Sequence, residues 1–330
     1  MNPPALPFTL EAPLGSAFRL QYHDLGPRER PPRLALVAGL SGLELNGVFV
    51  LARLADFLTS LERRGDGPRL RERVLILPAV NLSGLNARSR TWSYEDSDLN
   101  RAFPGSEEGD SSQRIAAAVL ELTRPAYYRV DVHSSNLDIE ELPQVRLYAP
   151  NDDERASACL FGLPAILERP LNPHFGASLA HAWRQYGGEN FVIQSGLAGQ
   201  LQPGHCETVF RALLAFLERT DMVEGLSLAD MEEDLHYFGL DQTLPLLAGQ
   251  PGLFVPRIEL GRWVQAGERL GSVYDGFGGQ VRAEVLAPVG GLVASLRRQP
   301  LAYAGDLLVR LLSPRPLDDR LDWLLHDQAQ

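Results

Sequence analysis

Five apolar residues, Leu34 to Ala38, lead into a polar turn punctuated by glycine, Ser41-Gly42-Leu43-Glu44-Leu45-Asn46-Gly47. The run reads as a buried strand. Beyond the turn, Val48, Leu51, Leu54, Ala55, Leu58 and Leu61 recur at helical spacing, so a helix with one apolar face crosses back over that strand. A strand, a turn and a crossover helix commit the chain to an α/β architecture. In open α/β sheets, ligand chemistry gathers outside the carboxyl ends of the strands. This turn lies at such an end, and it offers one carboxylate, Glu44, three residues after a hydroxyl, Ser41.

The same alternation continues. Strands are expected at Val74–Leu77, Tyr128–Val132, Val145–Ala149, Ala165–Leu167 and Asn190–Ile193. Helices are expected at Ser112–Leu122 (capped by Ser111 or Ser112), 153–161, Ser178–Gln185 and His205–Arg219. Gly65 to Pro68 ends the first helix. Strands separated by helices imply a doubly wound, mostly parallel sheet. Between them, Asn81 to Gly109 is long, polar and without hydrophobic period, the character of an ordered functional loop. After about residue 240 helical periodicity stops, and Gly and Pro separate short β-like runs. The expected division is an α/β domain over 1–240 and a small all-β domain over 241–330.

Two further segments carry chemistry: Asp98-Leu99-Asn100-Arg101-Ala102-Phe103-Pro104-Gly105 and Asp131-Val132-His133. Glu44 and His133 both follow strand ends, so they can face one crevice, and a carboxylate with an imidazole is two-thirds of a catalytic zinc site. Asp131 is placed to accept the other imidazole N–H and fix its tautomer.

In this order the segments resemble the succinylglutamate desuccinylase/aspartoacylase family, a branch of the zinc carboxypeptidase superfamily. Its members carry His-Gly-x-Glu after the first strand, then Asp-Leu-Asn-Arg-x-Phe-Pro-Gly, then Asp-x-His, then a strand ending in Glu. The resemblance implies a zinc-carboxypeptidase-like fold with a C-terminal barrel-sandwich-like β-domain, and a zinc ion held by Glu44, His133 and the residue at the family's first histidine, here Ser41. It further implies a small carboxylate-bearing substrate held by Arg90, Asn100 and Arg101, and a catalytic residue at Gln194. Two positions depart from the pattern. Serine is a poor zinc ligand beside imidazole, and His174, His181, His205 and His236 are the other candidates for a third ligand. Gln194 stands where the family has its general base, and an amide can orient water or polarise a carbonyl but cannot take a proton. Two functions follow: a metal-dependent hydrolase of an N-acyl amino acid or small peptide-like amide, or a non-catalytic carboxylate-binding protein on that scaffold.

Composition bounds the alternatives. The formal net charge of −11 argues against a broad nucleic-acid surface. No apolar stretch is long enough for a membrane span, and Met1 to Leu10 lacks the plan of a signal peptide, so a cytoplasmic protein is expected. Two cysteines, Cys159 and Cys206, make no disulfide framework. All 31 basic residues are arginine. Ala287 to Val293 resembles half of a biotinyl or lipoyl domain, yet without lysine this chain cannot carry either group. Oligomerisation is left open.

Overall fold

The computed structural model describes residues 5–11, 15, 17–63, 67–171, 175–228 and 235–317. The expected helix stop at Gly65 and Asp66 and the candidate ligand His174 lie outside them.

The fold is a doubly wound α/β sheet. Its strands are β1 (Leu34–Ala38), β2 (Val74–Leu77), β3 (Tyr128–His133), β4 (Ile139–Tyr148), β5 (Ala165–Arg169) and β6 (Glu189–Gly196). Every residue of β1 and β2 is buried, as strands covered on both faces must be. Spatially the order is β2-β1-β3-β6-β4, with Phe18–Leu25 and then Ala5–Leu10 beyond β2. The β2-β1-β3-β6 pairs are parallel, and β4 runs antiparallel to β6 but parallel to β5. Helix α1 (Leu45–Arg63) buries Val50, Leu51, Leu54, Ala55, Leu58 and Leu61 on one face of the sheet, beside α4 (Pro203–Arg219). Helices α2 (Ser111–Thr123) and α3 (Leu179–Trp183) cover the other.

Two local expectations are corrected. Helix α2 is capped by Asp110, whose carboxylate accepts from Gln113 N at 2.9 Å, while Glu95 takes Ser111 N at 2.7 Å and Ser112 N at 3.1 Å. Two carboxylates outcompete the serine hydroxyls for the orphan N–H groups. The strand expected from Val145 is only the second half of β4. Its first half carries Glu140, Glu141 and Pro143, which hide a strand from any reading based on apolar residues.

The C-terminal residues extend the same sheet. β7 (Gly291–Arg297) pairs antiparallel with Ile139–Glu141 of β4, then β8 (Leu307–Leu312) and Thr243–Leu247 follow. A separate four-stranded antiparallel sheet, ordered 281–286, 269–274, 252–256 and 301–302, closes over an apolar core of its own that includes Phe254, Val273, Val293 and Val309. Adjacent residues of β4 reach both ways from this junction. Glu140 is bonded by Arg298 beyond β7, and Glu141 by Arg310 of β8 at 2.9 Å. No described helix is long and apolar enough to cross a membrane.

Candidate active site

Parallel strands deliver the chemistry to one end of the sheet. His133 closes β3 directly beside Gln194 of β6, and the β1 turn carries Ser41 and Glu44 next to them. Gly42 makes that turn possible: a Cβ there would lie 2.1 Å from Gly84 C and 2.2 Å from Ser89 O, so backbone packs on backbone. Ser41, Glu44, His133 and Gln194 line a single cavity of about 670 Å³. The loop residues Arg90, Asn100 and Arg101 line it too, so these seven residues lie around one cavity.

His133 is held from both sides. Its Nδ1 is 3.1 Å from each carboxylate oxygen of Glu44, and its Nε2 is 2.7 Å from Asp131 Oδ2. Burial pulls the imidazole pKa down, but the Asp131 and Glu44 carboxylates outweigh it and hold the ring protonated well above its ordinary range.

A catalytic zinc takes three protein ligands from His, Cys, Asp and Glu. Glu44 and His133 line the cavity and are two zinc-type donors, the imidazole only once Nδ1 gives up the proton it shares with Glu44. Asp131 sits on the far nitrogen, behind the ring, and Ser41 offers a neutral hydroxyl already bonded by Leu43 N at 3.4 Å. His181 lies in α3, His205 bonds Glu140 at 2.7 Å and His236 packs against Trp263; none of the three lines the cavity. Among the described residues no group of three or more His, Cys, Asp or Glu forms a metal cluster. The donor set is one short of a resident zinc site.

Arg90, Asn100 and Arg101 are arranged around Asp98. Its carboxylate accepts from Arg90 Nη2 at 3.1 Å, pairs with Arg101 Nε at 3.5 Å and bonds Asn100 N at 3.1 Å, starting the short 3-10 turn Leu99–Arg101. Buried Leu99 and Phe103 pin that turn to the α2 layer. The Asn100 side-chain oxygen accepts from Leu179 N at 3.1 Å. Gln194 is tethered in the same sense, its oxygen accepting from Arg146 Nη1 at 3.4 Å. Each amide oxygen thus has a donor from the protein, and the N–H groups of both amides remain available.

Arg146 and Tyr148 line the cavity from β4 and were missed by the sequence reading. The signal was a period of two: Val145 and Leu147 buried on one face, Arg146 and Tyr148 on the other. Arg146 pairs with Glu141 at 2.9 Å, and Glu141 also takes Arg310. Burial raises the Glu141 carboxyl, but the two guanidiniums bring it below its usual range. Burial first, and then Arg146 and Arg310, push the guanidinium of nearby Arg169 down to about 10.

Residues 30–218 match the sequence profile of the succinylglutamate desuccinylase/aspartoacylase catalytic domain. The chain is 26% identical over 289 residues to an N-alpha-acetyl-L-2,4-diaminobutyric acid deacetylase of Halomonas elongata, covering 85% of this chain and 82% of that one. Its fold is that of the product-bound ectoine utilization protein EutE of Ruegeria pomeroyi (TM-score 0.75, 21% identity, 92% and 93% of the two chains). A succinylglutamate desuccinylase/aspartoacylase of Rhodobacter sphaeroides shares it as well (TM-score 0.73, 20% identity, 90% of each chain). The strand order, the converging turn, loop and strand ends, and a profile match over more than half its length together make this chain a member of the succinylglutamate desuccinylase/aspartoacylase family.

Proposed function

We infer that the cavity takes an N-acyl amino acid or a small peptide-like acid, the ligand class of an acyl-amino-acid hydrolase, and that the chain as it stands binds this ligand without a resident zinc. One observation carries the reading: the side-chain oxygens of Asn100 and Gln194 each accept a hydrogen bond from the protein, from Leu179 N and Arg146 Nη1, which leaves their N–H groups available as donors. Donors on both sides, with the guanidiniums of Arg90, Arg101 and Arg146, suit carboxylate and acyl oxygens. A site for base-activated water would need an acceptor at Gln194. In this reading Arg90, Asn100 and Arg101 take the carboxylate and Gln194 donates to the acyl oxygen.

Hydrolysis is the second reading. It is favoured by the two zinc-type donors, Glu44 and His133 Nδ1, 3.1 Å apart at the cavity wall, and by the deacetylase activity in the name of the Halomonas relative. Ser41 would then complete the set of Glu44 and His133. Titration calorimetry with N-acyl amino acids, run beside a hydrolysis assay and a metal analysis of protein purified without added zinc, separates the two. Binding with little turnover and substoichiometric zinc is expected. Stoichiometric zinc with rapid turnover would overturn the first reading in favour of the second.

A further inference from the structure

Three turns at the cavity mouth present apolar side chains together. Leu43 comes from the β1 turn, Leu137 from the segment after β3, and Ala198 from the segment after β6, and all three line the cavity. Leu137 is 57% exposed. Single exposed leucines are ordinary on protein surfaces. This one sits on a turn that is hydrogen-bonded to both flanking turns. Asn136 Oδ1 accepts from Asp138 N at 2.9 Å and Ile139 N at 2.8 Å, closing the turn under Leu137. Ala198 N bonds Asn136 O at 3.1 Å, Ser135 N bonds Gly196 O at 3.2 Å and Gly199 N bonds Leu43 O at 2.7 Å. Arg298 N, from beyond β7, secures Asp138 O at 2.8 Å. Leu137 packs over Gly199, where a Cβ would come within 3.0 Å of its Cδ2. The three turns thus form one rigid apolar lip continuous with the polar floor.

Resting on the ligand class inferred above, we propose that this lip receives the acyl group of the ligand, and that the preferred acyl group is an uncharged aliphatic chain. The cavity's size agrees: about 670 Å³ lies well inside the range of roughly 300–1,000 Å³ that holds drug-sized ligands. The guanidiniums and amide donors are satisfied by the amino-acid carboxylate and the acyl oxygen, which leaves Leu43 and Leu137 at the mouth, beside the Ser135, Asn136 and Asp138 side of the same turn. An acyl chain laid across half-buried Leu43 and exposed Leu137, over buried Ala198, removes apolar surface on both partners from water, whereas an anionic acyl terminus would have to be desolvated there beside Asp138.

The test is calorimetric titration of the wild-type chain with one amino-acid headgroup carrying acetyl, butanoyl, hexanoyl or succinyl, repeated on a second headgroup (L-glutamate and L-2,4-diaminobutyrate). Affinity is expected to rise between about twofold and fourfold per methylene from acetyl to hexanoyl, the upper figure being complete burial. Butanoyl is expected to bind more tightly than succinyl, which has the same four carbons and a terminal carboxylate. Leu137→Ser, at an exposed position, is expected to flatten the dependence on chain length. A flat series in the wild type, tighter binding of succinyl, or a slope untouched by Leu137→Ser would overturn the proposal while leaving the ligand class intact. Failure of every compound to bind would overturn both.

Discussion

At the scale of single residues, the proposed function is tested at Ser41 and Gln194. Gln194→Glu alone is expected to give no strong amidase activity. A general base is worth about 10²–10⁴-fold, and it acts on a water that has first been acidified. Ser41→His is expected to tighten zinc binding by about tenfold or more in calorimetry, because it completes a three-ligand set with Glu44 and His133. Equal affinity of the two forms would show that another group already supplies the third ligand. The double variant is the one expected to hydrolyse N-acyl amino acids when zinc is supplied, since it restores both metal and base. High turnover by the wild type would refute the premise. These residues were legible in the sequence because each sits in a local motif at a strand end. Asp98 was legible only as part of its motif. Its pairing with Arg101 is local, three residues along the 3-10 turn, but its pairing with Arg90 depends on a fold-back of the loop that no local pattern encodes.

At the scale of elements, the least legible one was β4. A strand with two buried acids in its first half contradicts hydrophobic patterning, and it is tolerated because each acid is met by cations from elsewhere in the chain. Glu140 accepts from His205 Nε2 at 2.7 Å and Gln202 Nε2 at 2.5 Å and is also bonded by Arg298. Burial raises its carboxyl, but His205 and Arg298 bring it down to about 2. The folded-state value lies below the unfolded one, so this group's contribution to stability is complete above about pH 4.5 and is lost as pH falls toward 2. Glu140→Gln is expected to flatten that limb of the stability curve measured by denaturant unfolding. Glu140→Ala, which leaves His205 and Arg298 facing a buried void, is expected to cost about 3–5 kcal/mol at neutral pH. An acid limb of the same steepness in Glu140→Gln would assign the loss to other carboxylates. By contrast α1 and β1 were plain in the sequence, because one apolar stripe and one unbroken apolar run report burial directly.

At the scale of the molecule, the change of style near residue 240 marks a change of architecture within a continuous sheet. Composition and periodicity register how a segment packs locally, but strand pairing across a hundred and fifty residues, such as Glu141 with Ser295, leaves no local trace. The pairing has a thermodynamic consequence. Calorimetry of the whole chain is expected to give a single cooperative transition, because removing residues 241–330 would bare the edge of β4 and strand Glu140 and Glu141 without Arg298 and Arg310. Two independent transitions, or a stable soluble fragment ending at residue 240, would refute that coupling.

Adjacent residues of a strand face opposite sides of a sheet, so the Glu140-Glu141 dipeptide sends one carboxylate to His205 of α4 and the other to Arg146, which a register shift between Glu141 and Gln144 brings to the same side as Glu141. Each side holds cations that complement only its own acid. A slip of β4 by one residue against β7 would exchange the two faces, bringing Leu142 to a position built for a charge and carrying one glutamate away from its partners. The dipeptide therefore works as a key for alignment: it admits one registration of the two halves of the sheet, and with it one setting of Arg146 against Gln194.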